Sequence, residues 1–173
     1  MGKITFILGG ARSGKSSYAI RLAKKFEGKI AFVATCPPLD EEMKMRIEIH
    51  KRDRPFHWHT FEEFKDLSTL LKKIGSEFDL IVIDCLTLFT SNLLLEGLAD
   101  KEIEDRIDKL LRILKSIKCD SIIVSNEVGL GIVPEDRLAR RFRDLAGKIN
   151  QSVAKQSDEV FFMFSGFPLR IKE

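Results

Sequence analysis

Eight consecutive residues near the start of the chain have the types and spacing of a phosphate-binding loop. Two glycines enclose four residues and are followed by a lysine and a serine: Gly9, Gly10, Ala11, Arg12, Ser13, Gly14, Lys15 and Ser16. In such a loop the backbone N–H groups surround a phosphate, the lysine reaches the β- and γ-phosphates, and the serine hydroxyl ligates Mg²⁺. A glycine-rich turn without a ligand is the alternative. Because an apolar run precedes the loop and a helical run follows it, the stretch predicts binding of a nucleoside triphosphate.

A second candidate ligand for Mg²⁺ is Asp84, which closes the apolar run 80–83. Enzymes with this kind of phosphate loop use an acid at the end of a buried strand to hold the metal. An acid after an apolar run also arises by chance, but here it accompanies the loop. We therefore predict that Asp84 holds Mg²⁺, directly or through water.

The segment 39–52 is predicted to be a helix that carries a candidate nucleophile, His50. At about 100° per residue, one sector of this helix contains Leu39, Met43, Ile47 and His50. The apolar pattern alone favours a core histidine with a hydrogen-bond partner. The surrounding cations favour a histidine that meets a phosphate, because they would keep the imidazole neutral and therefore nucleophilic. These cations are Arg46, Lys51, Arg52 and Arg54.

Two further clusters are less informative. His57 and His59 lie on one side of a predicted strand, but two ligands make an incomplete metal site, so we interpret them as packing or surface residues. Four arginines lie close together in a predicted helix: Arg137, Arg140, Arg141 and Arg143. They form either a lid over a phosphate or the solvated face of the helix, and the regular apolar spacing of the opposite face favours the second interpretation.

Size and composition restrict the class of protein. A chain of 173 residues is long enough for one domain with a full core, so we expect residues 1–173 to form a single nucleotide-binding catalytic domain. The net charge of +3 is too small to indicate nucleic acid as a partner. No apolar run approaches the roughly 18 residues of a membrane span, and the first strand lacks the flanks of a removable leader. Three widely spaced cysteines without a metal-binding spacing indicate reduced thiols in the cytoplasm.

Apolar segments with strand character alternate with segments of helical spacing along the whole chain. The predicted strands are 4–8, 29–35, 56–61, 80–84, 121–125 and 160–166, with a possible edge piece at 168–171, and the predicted helices include 17–23, 39–52, 62–74, 103–114 and 138–153. This order predicts an α/β fold, with a parallel sheet and helices on both of its faces. Ligands of such sheets bind beyond the carboxyl ends of the strands. The segments expected there are 9–16, 35–38, 84–87 and 126–131.

Taken together, these motifs resemble the bifunctional adenosylcobinamide kinase / adenosylcobinamide-phosphate guanylyltransferase family of cobalamin synthesis. The resemblance extends over nearly the whole chain. Besides the phosphate loop, it rests on Ala34-Thr35, Asp40-Glu41-Glu42-Met43, Arg46-Ile47, His50-Lys51, Arg54-Pro55, His57-Trp58, Asn126-Glu127-Val128-Gly129, Gly131-Ile132-Val133-Pro134-Glu135, Arg137-Leu138-Ala139-Arg140, Phe142-Arg143-Asp144, Asn150-Gln151 and Ser165-Gly166. The loop is shared by many families, whereas the 126–144 block and the His50 helix together are specific.

The resemblance implies two reactions. ATP or GTP phosphorylates adenosylcobinamide, and GMP then passes from GTP, through a histidine, to the new phosphate and gives adenosylcobinamide-GDP. By resemblance the nucleotidylated histidine is His50, with Lys15 as a second catalytic residue. The implied nucleotide-binding residues beyond the loop are Val33, Ala34, Thr35, Lys51, Arg52, Asp53, Arg54, Glu62 and Asp84. The family fold is similar to RecA and its members resemble trimers.

Two positions depart from the family pattern. Some members have adjacent histidines at the nucleophile, and here the first is Ile49, which leaves one candidate. Some relatives have glutamate where this chain has the shorter Asp84.

Two other functions are alternatives to this bifunctional enzyme. One is a small-molecule kinase without guanylyl transfer, and the other is a nucleotide switch or strand-binding protein of RecA type. Nearly balanced charge and a single tryptophan give the RecA-type alternative little support.

A leucine run, 93–95, predicts an apolar surface patch for contact between subunits.

Overall fold

The computed structural model describes residues 1–52 and 54–172, with their side chains except those of Glu42, Arg46 and His50. The strands are β1 (Ile4–Gly9), β2 (Ile30–Ala34), β3 (His59–Glu62), β4 (Leu80–Asp84), β5 (Asp120–Asn126), β6 (Glu159–Phe164) and β7 (Phe167–Lys172). The helices are α1 (Lys15–Ala23), α2 (Glu41–Arg52), α3 (Leu67–Ile74), α4 (Leu86–Leu95), α5 (Asp100–Ser116) and α6 (Arg137–Gln156).

The seven strands form one sheet in the order β3-β2-β4-β5-β1-β6-β7. All neighbouring pairs are parallel except the β6–β7 hairpin at one edge, so the predicted mostly parallel sheet is confirmed. The order places β1 beside β5, where Gly9 pairs with Asn126. It places β4 beside β2, where Ala34 pairs with Asp84. The segments that leave these four strands therefore meet at one edge of the sheet.

Strand β4 illustrates why the central strands are apolar throughout. Its side chains alternate between the faces of the sheet, and both faces are covered by helices. Ile81 and Ile83 belong to the core cluster beneath α3, α4, α5 and α6. Leu80 and Val82 belong to the cluster on the other face, which α1 covers. Each position is thus buried, and only the final residue, Asp84, reaches the edge where polar groups are accessible.

The predicted boundaries around β3 are wrong at both ends. The strand begins at His59 rather than at residue 56, because Trp58 N–H donates to the Pro55 carbonyl and closes a turn. The following helix begins at Leu67 rather than at residue 62. Asp66 caps it by accepting a hydrogen bond from Thr69 N–H at 3.1 Å. The apolar spacing of the segment indicated a helix but did not show which acidic residue would end the strand and which would cap the helix.

The predicted apolar surface patch at 93–95 is also wrong, because only one of its three leucines is exposed. Leu93 and Leu94 are 0% and 4% exposed and pack in the core, whereas Leu95 alone is 63% exposed. These residues form the last turn of α4, so neighbouring residues point in different directions. The predicted edge piece after residue 167 is present as β7, which pairs with β6. In the part of the chain that the structure describes, each helix is too short or too polar to span a membrane.

Candidate active site

The phosphate loop turns between the end of β1 and the start of α1. Arg12 and Gly14 adopt left-handed backbone conformations, with φ of 56° and 92°. Such a conformation is strained for most side chains and accessible to glycine, which explains Gly14 directly before the helix. Tyr18 N–H donates to the Gly14 carbonyl at 2.9 Å, so the helix begins immediately after the loop. Backbone N–H groups in this arrangement form an anion-binding concavity at the positive end of α1.

The β6–β7 hairpin supports the loop from the side. Gly166 N–H donates to the Ser13 carbonyl at 3.0 Å. A Cβ atom on Gly14 would lie 3.3 Å from the Cα of Gly166, and one on Gly9 would lie 2.8 Å from the Met163 carbonyl oxygen. The two loop glycines therefore also allow close packing between the loop and this hairpin.

Lys15 is only 7% exposed, and its ammonium group lies within the loop. Its Nζ donates to the Gly10 carbonyl at 2.5 Å and lies 3.5 Å from the Ser13 hydroxyl oxygen. Burial lowers the pKa of Lys15, and the negative charge of Asp84 acts in the opposite direction. Burial raises the pKa of Cys85 to about 12, so this neighbouring thiol is uncharged near neutral pH. The carboxylate of Asp84 is thus the negative charge at the end of β4 that acts on the Lys15 ammonium.

Thr35 makes hydrogen bonds to the backbone at Asp84 and Cys85. It lies one residue beyond β2, and its N–H donates to the Asp84 carbonyl at 3.2 Å. The Thr35 hydroxyl donates to the Cys85 carbonyl at 2.7 Å and accepts a hydrogen bond from Cys85 N–H at 2.8 Å. The ends of β2 and β4 are therefore joined by three hydrogen bonds directly beside the phosphate loop.

Two predicted nucleotide-binding cations lie near the same edge: Lys51 at the end of α2, and Arg54 two residues beyond that helix. Lys51 Nζ lies 3.5 Å from a carboxylate oxygen of Glu62, the last residue of β3. The Arg54 guanidinium lies 4.0 Å from the centre of the Phe32 ring and donates to the Thr60 hydroxyl at 3.3 Å. Burial lowers the pKa of Arg54, with the charges of Asp84 and Glu62 opposing that effect. Lys15 and Arg54 thus share Asp84 as a charged neighbour.

The other predicted site residues divide into three groups. Val33 and Ala34 end β2, next to Thr35, whereas Arg52 is exposed at the end of α2. Asp53 and the His50 side chain lie outside the described residues. The backbone places residue 50 in the last turn of α2, one residue before Lys51.

The predicted inward face of α2 is not a buried face. Leu39 lies before the first turn and is 74% exposed, while Met43 and Ile47 are half-buried. Among the described side chains of α2, none is buried. His57 and His59 are exposed, and His59 packs its ring edge-to-face against Phe78 at 5.2 Å, which agrees with their interpretation as packing or surface residues.

The sequence analysis did not identify Asn92, a residue of α4 that makes hydrogen bonds to two segments next to the site. Its side-chain amide donates to the carbonyls of Thr35 at 2.9 Å and Phe64 at 3.3 Å. It therefore connects α4 to the segments that follow β2 and β3. The available signal was an amide in the otherwise largely apolar segment 86–95.

A second polar network was also missed, and it holds the end of β5. The Thr87 and Ser125 hydroxyls are hydrogen-bonded at 2.8 Å, and Ser125 donates to Asn150 Oδ1 at 2.7 Å. The Asn150 amide in turn donates to the Asn126 carbonyl at 3.0 Å. Since Asn126 pairs with Gly9, this network places α6 and β5 firmly beside the start of the phosphate loop.

The residues present fit a magnesium ion that is bound with a nucleotide. Ser16 and Asp84 offer one hydroxyl and one carboxylate oxygen, which are hard donors of the kind Mg²⁺ prefers. Among the described residues, no group of three or more histidine, cysteine, aspartate or glutamate side chains could form a metal site. Mg²⁺ commonly takes one or two protein ligands and completes its shell with phosphates and water. The donor set therefore suits a nucleotide-bound ion rather than a metal held by protein ligands alone.

Comparison with known proteins identifies relatives of nearly equal length. The profile of the family described as cobinamide kinase / cobinamide phosphate guanyltransferase matches residues 5–171. The bifunctional adenosylcobalamin biosynthesis protein CobU of Salmonella typhimurium is 41% identical, with 96% of this chain and 98% of the relative covered. The protein of the same name from Escherichia coli is 37% identical over the same shares of both chains. The bifunctional adenosylcobalamin biosynthesis protein CobP of Pseudomonas aeruginosa is 40% identical, over 96% and 95%.

Among solved structures, the chain is similar to a prototypical ATPase from the type III secretion system of pathogenic bacteria. The TM-score is 0.59 at 14% sequence identity, and the likeness covers 94% of this chain but 51% of the ATPase chain. At this identity the likeness concerns the fold alone. It confirms the predicted α/β architecture.

Proposed function

The chain belongs to the cobinamide kinase / cobinamide phosphate guanyltransferase family, and from this premise we propose how its two reactions proceed. The enzyme phosphorylates adenosylcobinamide with ATP or GTP and then transfers GMP from GTP to give adenosylcobinamide-GDP. The observation that supports the residue assignment is the sheet order, which brings Gly9 at the start of the phosphate loop, Thr35 and Asp84 to one edge of the sheet. The alternative of a plain kinase does not fit the three relatives, each of which is named bifunctional.

In the kinase step the aminopropanol hydroxyl of adenosylcobinamide attacks the γ-phosphorus of the triphosphate. A bond forms from this oxygen to phosphorus, the bond to the β–γ bridging oxygen breaks, the nucleoside diphosphate leaves with the electron pair, and the hydroxyl proton is released to water. The enzyme's role in such a transfer is positioning and charge stabilisation. The N–H groups of the 9–16 loop and the Lys15 ammonium supply both.

In the second step the His50 imidazole attacks the α-phosphorus of GTP and pyrophosphate leaves. The resulting phosphoramidate is then attacked by a phosphate oxygen of adenosylcobinamide phosphate, and the imidazole leaves with the electron pair of the broken P–N bond. Support comes from the position of residue 50 in α2, directly before Lys51, which pairs with Glu62 at the edge of the sheet. Cations near an imidazole favour its neutral, nucleophilic form.

Substrate contacts follow the same arrangement. We assign nucleotide binding to the 9–16 loop, to the strand ends with Val33, Ala34, Thr35, Glu62 and Asp84, and to the sequence segment Lys51, Arg52, Asp53 and Arg54. Ser16 and Asp84 would hold Mg²⁺, which neutralises phosphate charge when bound. The chain acts as one catalytic domain, assembles as a homotrimer and works in the cytoplasm without a nucleic-acid partner.

Replacement of Lys15 tests this function. We expect Lys15→Ala to lower the kinase rate by about 100-fold or more, because the ammonium faces the transferring phosphate. If one loop serves both reactions, transfer of GMP falls as well. The two steps are assayed separately, with adenosylcobinamide plus ATP and with adenosylcobinamide phosphate plus GTP.

Lys24→Ala is the matched control, because Lys24 is exposed at the other end of α1. It should retain both rates. A Lys15→Ala enzyme with full kinase activity and an unchanged melting temperature contradicts the assignment of the loop.

A further inference from the structure

The four clustered arginines of α6 have different surroundings, so they form neither a common lid nor a common solvated face. Arg137 is exposed. The Arg140 guanidinium donates to two backbone carbonyls just before the helix, at 3.0 and 2.5 Å. Arg141 donates to the Asp100 carboxylate at 2.7 Å and to the Leu98 carbonyl at 2.9 Å. Two of the four are therefore occupied by contacts within the protein.

Arg143 differs from the other three. Its Nη1 is buried and has no hydrogen-bond partner among the described residues, although the side chain as a whole is 23% exposed. The nearest carboxylate, that of the exposed Asp144, lies 3.9 Å from Nε, which is too far for a hydrogen bond. A buried charged donor without a partner destabilises a fold, and native proteins rarely keep one without a reason. A ligand that brings an oxyanion would supply the missing partner.

Helical geometry places Arg143 over the edge of the sheet that carries the phosphate loop. Asn150 lies two turns later and within about 20° of Arg143 around the helix axis. Its amide donates to the Asn126 carbonyl, next to Gly9 in the sheet. The helix runs from the carboxyl end of β5 back to the start of β6, so Arg143 lies about 10 Å further toward the ligand edge than Asn150.

We propose that Arg143 binds a phosphate oxyanion of the reactants at the phosphate-loop site. The planar guanidinium can donate two parallel hydrogen bonds to phosphate, and Nη1 is a donor that the described part of the protein leaves unused. This proposal rests on the proposed function. The phosphate is either the γ-phosphate of the nucleotide or the phosphate of adenosylcobinamide phosphate.

The first arm of the test uses the β,γ-methylene analogue of GTP and, separately, GDP as probes. We replace Arg143 with methionine, which has similar apolar bulk and no donor, and compare Arg137→Met as the matched control. If the γ-phosphate is the partner, the analogue binds about 10-fold or more weakly to Arg143→Met while the affinity for GDP is unchanged. Kinase kcat/KM then falls by about 100-fold. Arg137→Met should match wild type in both measurements.

The second arm uses adenosylcobinamide phosphate as the variable substrate of the guanylyl transfer. If its phosphate is the partner, the KM for this substrate rises by about 10-fold or more in Arg143→Met, whereas both nucleotide affinities are unchanged. Either arm supports the contact and identifies its source. A variant that keeps both affinities, this KM and both rates within twofold of wild type overturns the proposal.

Stability separates a binding role from a structural one. We expect the melting temperature of Arg143→Met to equal or exceed that of wild type, because methionine removes an unpaired buried donor. Losses of binding that accompany a lower melting temperature overturn the proposal. If the methionine variant does not fold, Arg143→Lys takes its place. It should bind the phosphate partner about 10-fold more weakly, since an ammonium cannot donate in the same bidentate way, and unchanged binding overturns the proposal.

Failure of the inference can be distinguished from failure of the proposed function. Wild-type enzyme that catalyses neither reaction refutes the function itself. Wild-type enzyme that catalyses both, alongside an unaffected Arg143→Met variant, refutes only the role of this arginine.

Discussion

At the scale of single residues, the Thr35 hydroxyl connects the end of β2 to the end of β4. The residue is 0% exposed and uses its hydroxyl both as donor and as acceptor toward the Cys85 backbone. Its own carbonyl accepts from Asn92. Because Asp84 precedes Cys85, these contacts hold the backbone next to the proposed metal ligand.

Thr35→Val is expected to destabilise the protein. Valine has nearly the same shape but leaves the Cys85 N–H and carbonyl buried without this partner. Loss of two such bonds should lower the free energy of unfolding by about 2–4 kcal/mol, measured by urea denaturation. Thr60→Val on the exposed β3 should change it by less than about 1 kcal/mol. Equal stability of the two variants would mean that the Thr35 contacts are energetically unimportant.

Residue types and local spacing were sufficient to predict that the 9–16 loop lies between a strand and a helix and that Asp84 ends a buried strand, because each motif lies within a few consecutive residues. The hydrogen bonds of Asn92, and which of the four α6 arginines have partners within the protein, could not be predicted this way. Both depend on contacts between segments far apart in the chain, and an arginine's sequence position does not show whether its guanidinium is paired. Glu62 was expected only through resemblance, and its ion pair with Lys51 forms because α2 ends beside β3.

At the scale of elements, α2 differs from the other long helices. Helix α5 buries six side chains and α6 buries five, whereas no described side chain of α2 is buried. The apolar residues of α2 suggested an inward face, but periodicity identifies only which residues share a face. It does not show whether another element covers that face. The wrong boundaries of β3 and α3 have a similar origin, since capping by Asp66 depends on the local chain path.

Limited proteolysis should show this difference. Local opening is easiest where few apolar contacts must break, so trypsin should cleave first in α2, after Lys44 or Lys51. Basic residues of α5, such as Lys109, should be cleaved much later although they are exposed. Mass spectrometry of early fragments identifies the sites. Cleavage in α5 before α2 contradicts this ranking, and slower cleavage of α2 with GTP present would link the helix to nucleotide binding.

At the scale of the whole molecule, the order of the strands in the sheet brings the residues of the site together. Alternating strands and helices predicted a parallel sheet and the segments at its carboxyl edge. They could not predict which strands would be neighbours, because strand pairing is set by contacts between distant segments. The observed order places β1, β5, β4 and β2 together in the centre, and it thereby brings Gly9, Thr35, Asp84 and Asn126 to one edge.

Exposed apolar side chains lie at several places that the sequence did not suggest, and one of these places is the β6–β7 hairpin. Phe164, Phe167 and Leu169 are exposed on the β6–β7 hairpin, with Phe167 at 77%, whereas the leucine run contributes only Leu95. Exposed apolar groups on an edge hairpin favour contact with another subunit.

We expect light scattering at micromolar concentration to give the mass of a trimer. Phe167→Ser should lower that mass, because it removes an exposed apolar ring from the hairpin. The matched change Leu95→Ser should not. A monomeric wild type contradicts the proposed assembly, and an unchanged mass in Phe167→Ser excludes the hairpin as its contact.

GTP labelled separately at the α- and γ-phosphates tests the proposed transfer chemistry most directly. With Mg²⁺, wild-type enzyme should become labelled from the α-phosphate but not from the γ-phosphate, because pyrophosphate leaves. The bond should be labile to acid and stable to base, since protonation of the bridging nitrogen makes imidazole a good leaving group. His50→Ala should lose the label while keeping part of the kinase activity, and His57→Ala and His59→Ala should both retain it. Label on His50→Ala, or a wild type that is never labelled, contradicts a GMP–histidine intermediate at this position.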